Sequence, residues 1–93
     1  MKPEHKPQYT INRTEEFIRK SQEIKKSYKR VTDLINAIDW ALERKPHIFT
    51  QVSGEFYLLK TSELSNPDFP LLKILYRVIQ EKNIVVLIDI EEE

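Results

Sequence analysis

The chain has 93 residues, and its 15 lysines and arginines balance its 15 aspartates and glutamates, so the formal net charge at pH 7 is +0. A chain of this length forms one domain, and an even charge balance argues against a protein that coats nucleic acid over its whole surface. The absence of cysteine excludes a disulfide framework, a zinc ribbon and a thiol nucleophile, and a single glycine excludes a glycine-rich phosphate loop. His5 and His47 are too far apart in sequence to predict a metal site, and no cofactor is expected.

Residues 1–8 are polar, contain two prolines and show no periodicity, which predicts a flexible N-terminal tail ahead of a single domain at 9–93. This tail lacks the apolar segment of a signal peptide. The longest uninterrupted apolar run, at 84–88, is far shorter than the roughly 20 residues that span a bilayer. We therefore expect a cytoplasmic protein that does not bind membranes.

The first helix is predicted at about residues 14–26, after a short β-prone segment at 9–11. Asn12 and Thr14 can both act as N-caps, because their side-chain oxygens accept hydrogen bonds from the free N–H groups of a first helical turn. Apolar residues are sparse in this helix, so we expect it to bury only a narrow stripe.

The second helix follows a break near Ser27 and is predicted from apolar residues that recur at steps of three and four. This stripe comprises Val31, Leu34, Ile35, Ile38, Ala41 and Leu42. Pro46 ends the helix, because a proline pushes the residue before it out of the α region. The two helices therefore form a helical hairpin.

Three further strands are predicted at 56–60, 72–79 and 84–90. They are joined by a loop at 61–70, rich in serine and proline, and by a hairpin connection at 80–83. The last strand is apolar on both sides, which is typical of a central strand buried on both faces. The order β-α-α-β-β-β predicts an α+β fold: an N-terminal strand, a helical hairpin and a three-stranded antiparallel meander, with the helices packed on one face of an antiparallel sheet.

Three segments resemble motifs of the RelE/ParE superfamily of bacterial toxins from type II toxin–antitoxin systems. Residues 41–46 read ALERKP, which is similar to a helix-ending motif of that family, and residues 73–79 and 84–88 are similar to its last hairpin. The resemblance covers about 9–90, and implies a RelE/ParE-like domain that a cognate antitoxin neutralises. It further implies one of two activities: RelE-type members are metal-independent endoribonucleases that cut messenger RNA on the ribosome, and ParE-type members act on DNA gyrase.

The resemblance also implies candidate catalytic residues. Lys73 and Tyr76 occupy the positions of an arginine and a tyrosine in RelE-like nucleases, and Arg77 shares a strand face with Lys73, about 13 Å along the strand. Lys60, on the neighbouring predicted strand, could add a third cation. These nucleases carry a basic residue after the last strand, where this chain has the glutamates of 91–93, which oppose stabilisation of a negatively charged phosphorane. The nuclease site is therefore expected to be degenerate.

Between residues 19 and 30 there are six basic residues and one acidic residue. The six, called here the basic cluster, are Arg19, Lys20, Lys25, Lys26, Lys29 and Arg30. Together with Lys60, such a cluster can bind ribosomal RNA or another polyanion, or contact an acidic antitoxin segment. The alternative is that the basic cluster binds nothing and is an ordinary helix face in contact with water. The glutamates at 91–93 either form a frayed, charged end or screen the basic residues.

Trp40 lies off the apolar stripe of the second helix, so it either packs at the rim of the core or forms part of a groove for a partner.

The resemblance and the glutamates at 91–93 together predict a toxin-family protein that binds a cognate antitoxin and has weak or no ribonuclease activity. Two alternatives stay open at this point. One is an active ribosome-dependent endoribonuclease that uses Lys60, Lys73 and Arg77, and the other is a ParE-type inhibitor of DNA gyrase.

Overall fold

The structure, a computed structural model, describes residues 8–64 and 69–93. Its strands and α-helices are, in chain order, β1 (Thr10–Arg13), α1 (Glu15–Ser27), α2 (Val31–Arg44), β2 (Thr50–Ser53), β3 (Phe56–Lys60), β4 (Leu72–Ile79) and β5 (Ile84–Glu92). Short 3-10 turns follow β3 and β4, at Thr61–Leu64 and Gln80–Lys82. The predicted tail at 1–8, except Gln8, and part of the predicted loop at 61–70 lie outside the described residues.

The five strands of the described chain form one sheet in the order β1-β5-β4-β3-β2. Strands β2 to β5 make an antiparallel meander, and β1 pairs with β5 in parallel. The predicted α+β fold is confirmed: a strand and a helical hairpin precede the meander, and the helices pack on one face of the sheet. The structure adds two features, namely the edge strand β2 and the parallel direction of β1.

Thr14 both caps α1 and attaches it to the sheet. Its side-chain oxygen accepts a hydrogen bond from the backbone N–H of Phe17 at 3.0 Å, as expected for an N-cap. The same hydroxyl donates to the carbonyl of Ile88 at 2.7 Å, and the Thr14 N–H donates to the carbonyl of Leu87 at 3.0 Å. Since β1 pairs only with the first half of β5, these bonds start α1 beside the second half of that strand.

The core lies between the helices and the covered face of the sheet. Helix α1 buries only Phe17 and Ile24, which agrees with its sparse apolar pattern. Helix α2 buries Val31, Leu34, Ile38 and Leu42, whereas Ile35 and Ala41 of the predicted stripe are half-buried. The sheet contributes Tyr57, Leu59, Leu72, Ile74, Tyr76, Val78, Val85, Leu87 and Ile90.

A β-bulge at Ile88 shifts the alternation of β5 by one residue. Leu75 pairs with Asp89 and Tyr76 pairs with Leu87, so Ile88 has no partner on β4. Leu87 before the bulge and Ile90 after it both point into the core, and Asp89 points to the uncovered face. The prediction that this strand is buried on both faces is therefore wrong. Strand β5 has neighbouring strands along both edges, but its outer side chains stay partly exposed. The apolar run is continuous because the bulge shifts which residues face the core, from Val85 and Leu87 before it to Ile90 after it.

Candidate functional site

The sheet face that the helices leave uncovered, called here the outer face, collects the predicted cations of β3 and β4. On β4 the residues alternate between buried and half-buried, and Lys73, Leu75 and Arg77 lie on the half-buried, outer side. Lys60 of β3 pairs directly with Lys73. Three of the sequence-predicted site residues, Lys60, Lys73 and Arg77, therefore share one surface. Two lysines directly opposite each other repel, which makes the positions of nearby carboxylates important.

Two carboxylates of β5 lie among these cations. Glu91 pairs with Lys73 across the strands, and its carboxylate is 3.9 Å from the Lys73 ammonium. Lys20 of α1 reaches the edge of the sheet, where its ammonium is 2.9 Å from Asp89 and 3.4 Å from Glu91. The hydrogen bond to Asp89 is the main reason that the pKa of Lys20 is raised. A row of charged side chains thus crosses the outer face from Lys60 through Lys73 and Glu91 to Lys20, with Glu91 between two ammonium groups.

The outer face has a shallow depression of about 220 Å³ beside this row. Leu58 and Leu75 give it an apolar floor, and Lys73, Asp89 and Glu91 supply charges of both signs. A phosphate that entered the depression would approach the ammonium of Lys73 but also the carboxylates of Asp89 and Glu91. The carboxylates of Asp89 and Glu91 therefore offset the positive charges of Lys20 and Lys73, and the surface differs from a site built of cations for a phosphate.

Arg77 is engaged separately from this row. Its Nε donates to the Glu55 carboxylate at 2.8 Å, and its guanidinium lies 6.0 Å from the centre of the Phe56 ring. It lies four positions further along the extended strand than Lys73. Arg77 is therefore on the same face as Lys73 but faces a different acid: Arg77 pairs with Glu55, and Lys73 shares Glu91 with Lys20.

Tyr76 does not join the other predicted catalytic residues. Its side chain is 0% exposed and lies on the core side of β4, opposite to Lys73 and Arg77. Its hydroxyl donates to the backbone carbonyl of Pro46 at 2.7 Å, and its ring stacks on Tyr57 with centroids 5.4 Å apart. The grouping of Tyr76 with Lys73 and Arg77 is corrected accordingly: period two on one strand separates them, and the phenol holds the end of the helical hairpin to the sheet.

The buried phenol predicts a specific alkaline sensitivity. Burial first, and then the neighbouring Tyr57, raise the pKa of Tyr76 well above its ordinary value of 10.0. Above pH 10 the unfolded chain loses this proton and the folded chain keeps it, so the free energy of unfolding falls by up to about 1.4 kcal/mol per pH unit. Denaturant titrations between about pH 9 and 11 measure this slope. We expect Tyr76→Phe to flatten it, and equal slopes for the two proteins would contradict the assignment.

The structure divides the basic cluster rather than presenting it as one face. Lys20 is held by β5, while Arg19 pairs with Glu16 at 2.7 Å within α1. Lys26 pairs with Glu23 at 3.4 Å. Arg30 pairs with Asp33 at 3.4 Å and its guanidinium lies 5.6 Å from the ring of Phe69. In the described part of the chain, Lys25 and Lys29 have no carboxylate within 4.0 Å. Binding of a polyanion by this cluster stays a prediction.

Trp40 is exposed and forms an apolar patch with Ile48, a residue that no sequence pattern marks. Trp40 is 60% exposed and Ile48 is 55% exposed, and both line a depression of about 170 Å³ with Ala41, Arg44 and Lys45. The Arg44 guanidinium covers the indole ring at 4.1 Å. We call this surface the Trp40 patch. No periodic pattern marks Ile48, because it follows Pro46 in the irregular connection between α2 and β2.

Over residues 8–64 and 69–93, no three histidine or acidic side chains gather into a group that could hold a metal ion. In the same residues no helix is long and apolar enough to cross a membrane.

The fold is similar to that of the RelE toxin. A chain of the intact E. coli RelBE toxin–antitoxin complex matches with a TM-score of 0.66 and 19% identity, covering 91% of this chain and 96% of that one. The isolated E. coli RelE toxin matches with a TM-score of 0.65 and 18% identity, covering 90% of this chain and 83% of RelE. No protein-family model and no curated protein matches the sequence. At such low identity the likeness establishes the fold, and it confirms the RelE-like architecture that the motifs predicted.

Proposed function

We propose that this chain is the toxin-fold component of a type II toxin–antitoxin pair, which binds a cognate antitoxin in the cytoplasm and has weak or no ribonuclease activity. The single observation that carries the proposal is the neutralised outer face: on a RelE-like fold, the carboxylates of Asp89 and Glu91 lie against Lys20 and Lys73. The likeness to a chain taken from a toxin–antitoxin complex supports the antitoxin as partner.

The chemistry of RNA cleavage supports weak activity. A negatively charged phosphorane is stabilised by cations and hydrogen-bond donors aimed at it. On the outer face Lys73 and Arg77 each face a carboxylate, and the phenol of Tyr76 is buried with its proton donated to Pro46. Of the three predicted cations, Lys60 alone has no carboxylate within 4.0 Å among residues 8–64 and 69–93.

The Trp40 patch supports partner binding. Interfaces derive most of their affinity from a few aromatic and arginine residues, and here an arginine lies on an exposed indole beside an exposed isoleucine. A domain of this size buries only about 60–65% of the surface of its unfolded chain, so covering such a patch would stabilise it. We therefore place part of the antitoxin interface at Trp40 and Ile48.

An active ribonuclease is the second candidate, because the register of the sheet favours it. Lys60 pairs directly with Lys73, and Arg77 shares their face, so three cations lie on the surface that the resemblance assigns to RNA.

Induced expression of the protein in a bacterial host separates the candidates. We expect growth to continue; growth arrest with halted translation, relieved by Lys73→Ala, would support the ribonuclease instead, and a DNA-damage response would support gyrase as target.

Partner binding has its own test. We expect the protein to co-purify with the product of an adjacent reading frame, and Trp40→Ala to weaken that complex by at least about 30-fold, as for an interface hot spot. The matched control is Leu71→Ala, since Leu71 is 58% exposed, immediately precedes β4 and does not line the depression at the Trp40 patch. Isothermal titration measures both. Absence of any partner that raises the melting temperature, or equal effects of the two variants, would contradict the proposal.

A further inference from the structure

Strand β2 forms an open edge of the sheet. In the described part of the chain it pairs with β3 on one side and with no strand on the other. All four of its residues are exposed, so no helix or loop of residues 8–64 and 69–93 covers this edge. The backbone N–H and C=O groups on the free side of an edge strand are able to pair with a strand of another molecule.

The sequence of β2 lacks the side chains that usually protect an edge strand. Residues 46–54 are nine consecutive residues without a lysine, arginine, aspartate or glutamate, the longest such stretch in a chain that is 32% charged. Native proteins often place charged residues or proline on an open edge to prevent pairing, and β2 has neither. What limits pairing here is the length of four residues and the register shift between Gln51 and Ser53.

The opposite edge of the sheet, at β1, is protected. Strand β1 ends in Arg13, whose guanidinium pairs with Asp39 of α2. Directly before β1, the N–H groups of Gln8 and Tyr9 donate to the carbonyl of Glu43, also in α2, at 2.8 and 3.1 Å. A charged residue and the neighbouring helix therefore guard β1, and an incoming strand finds the accessible edge at β2.

Exposed apolar side chains accompany the open edge. Val52 of β2 is 50% exposed, and Ile48, which lines the Trp40 patch, precedes β2 by two residues. The patch therefore borders the edge, and the two together offer a strand to pair with and apolar surface to bury. Apolar side chains that concentrate on one part of a surface mark an interaction site.

We propose that β2 pairs in antiparallel with β2 of a second copy of this chain, which joins two five-stranded sheets into one, with the Trp40 patch of each copy at the border of the interface. A two-fold axis sets the same surface of both copies together, so a charged edge would repel itself. The stretch 46–54 avoids this cost because it carries no charge. For the same reason a partner recognised by its charge finds no opposite charge on β2, whereas strand addition binds through the backbone. This inference goes beyond the proposed function and does not rest on it.

Sedimentation velocity of the purified protein between about 5 and 500 µM tests the dimer. An edge of four residues belongs to the small, transient class of interfaces, so we expect a dissociation constant of about 10–100 µM. Val52→Lys should weaken the dimer at least about tenfold, because it places two ammonium groups in one interface. The matched control is Leu71→Lys, which adds the same charge at an apolar residue that is 58% exposed and outside β2. A monomer throughout this range, or equal weakening by the two variants, would overturn the proposal.

Introduced cysteines locate the interface, since the chain has none of its own. The four variants are Thr50→Cys, Gln51→Cys, Val52→Cys and Ser53→Cys, made one at a time. A disulfide needs Cβ atoms about 3.5–4.5 Å apart, so only the one or two positions nearest the two-fold axis should form covalent dimers on mild oxidation. Leu71→Cys is the control and should stay monomeric. Equal cross-linking at all five positions would overturn the proposal.

Hydrogen exchange separates a second copy from another occupant of the edge. We expect the amides of β2 to become more protected as the concentration of the isolated protein rises. Protection that appears only in a complex with the antitoxin would assign the edge to a strand of that partner and overturn the proposal. Because the isolated protein is measured, failure of the dimer leaves partner binding untouched, and absence of a partner leaves the dimer result intact.

Discussion

Ile90→Ala is expected to lower the free energy of unfolding by about 3–4 kcal/mol, whereas Ile88→Ala, two residues earlier on the same strand, should cost about 1 kcal/mol or less. In a regular strand the two side chains would share a face and the costs would be similar. The bulge makes them different: Ile90 is 1% exposed in the core, and Ile88 is the half-buried extra residue.

Urea denaturation of the two single variants measures this difference directly. Because both changes delete the same atoms from the same residue type, differences in unfolded-state behaviour largely cancel. Equal destabilisation by the two variants would mean that β5 runs without a phase change, and would also remove the basis for placing Asp89 on the outer face.

Tyr76→Phe is expected to destabilise the fold by about 1–3 kcal/mol although it removes a single oxygen atom. The variant leaves the buried carbonyl of Pro46 without its 2.7 Å hydrogen bond, and an unsatisfied buried acceptor costs its full desolvation. Tyr76→Ala adds the loss of a ring that is 0% exposed, for a total of about 3–5 kcal/mol.

Tyr57→Phe is the matched control for the hydroxyl. Tyr57 stacks on Tyr76 in the same layer, but its hydroxyl makes no hydrogen bond with any residue in 8–64 or 69–93. We expect this variant to change the free energy of unfolding by less than about 0.5 kcal/mol. A loss in Tyr57→Phe as large as in Tyr76→Phe would show that the layer of aromatic rings, and not the bond to Pro46, is responsible.

The sequence predicts the two helices well because the features that form them, the spacing of apolar residues and the N-cap, lie within or next to each helix. The three- and four-residue steps of α2 bury Val31, Leu34 and Ile38 as expected, and of the two predicted N-caps of α1 the structure uses Thr14 and not Asn12. The strand β2 is missed because its residues are exposed and mostly polar, so only pairing with β3 defines it. The bulge is missed for a similar reason: residues on both sides of β5 are apolar, and no local signal tells which residue is extra.

The candidate site is predicted in part. Period two places Lys73 and Arg77 on one face, and the register of β3 with β4 places Lys60 opposite Lys73, while a shared role in a site stays a prediction. The pairing of Lys20 with Asp89 depends on where α1 passes the edge of the sheet, which a single sequence does not specify. A signal was nonetheless present: acids at alternate positions 89 and 91 end an apolar run, and the preceding strand carries Lys73 and Arg77 at alternate, outward positions.

The parallel pairing of β1 with β5 constrains how the protein folds. Thr10 pairs with Ile84, so nearly the entire chain separates the two strands. Closing so long a loop costs conformational entropy, and only the contacts between the paired strands offset this cost in free energy. Contacts between residues so far apart in sequence slow folding. During synthesis, β1 cannot find its partner until the ribosome has released β5. We therefore expect the β1 edge of the sheet to pair late, and Lys20 can reach Asp89 only in a chain whose translation has passed that residue.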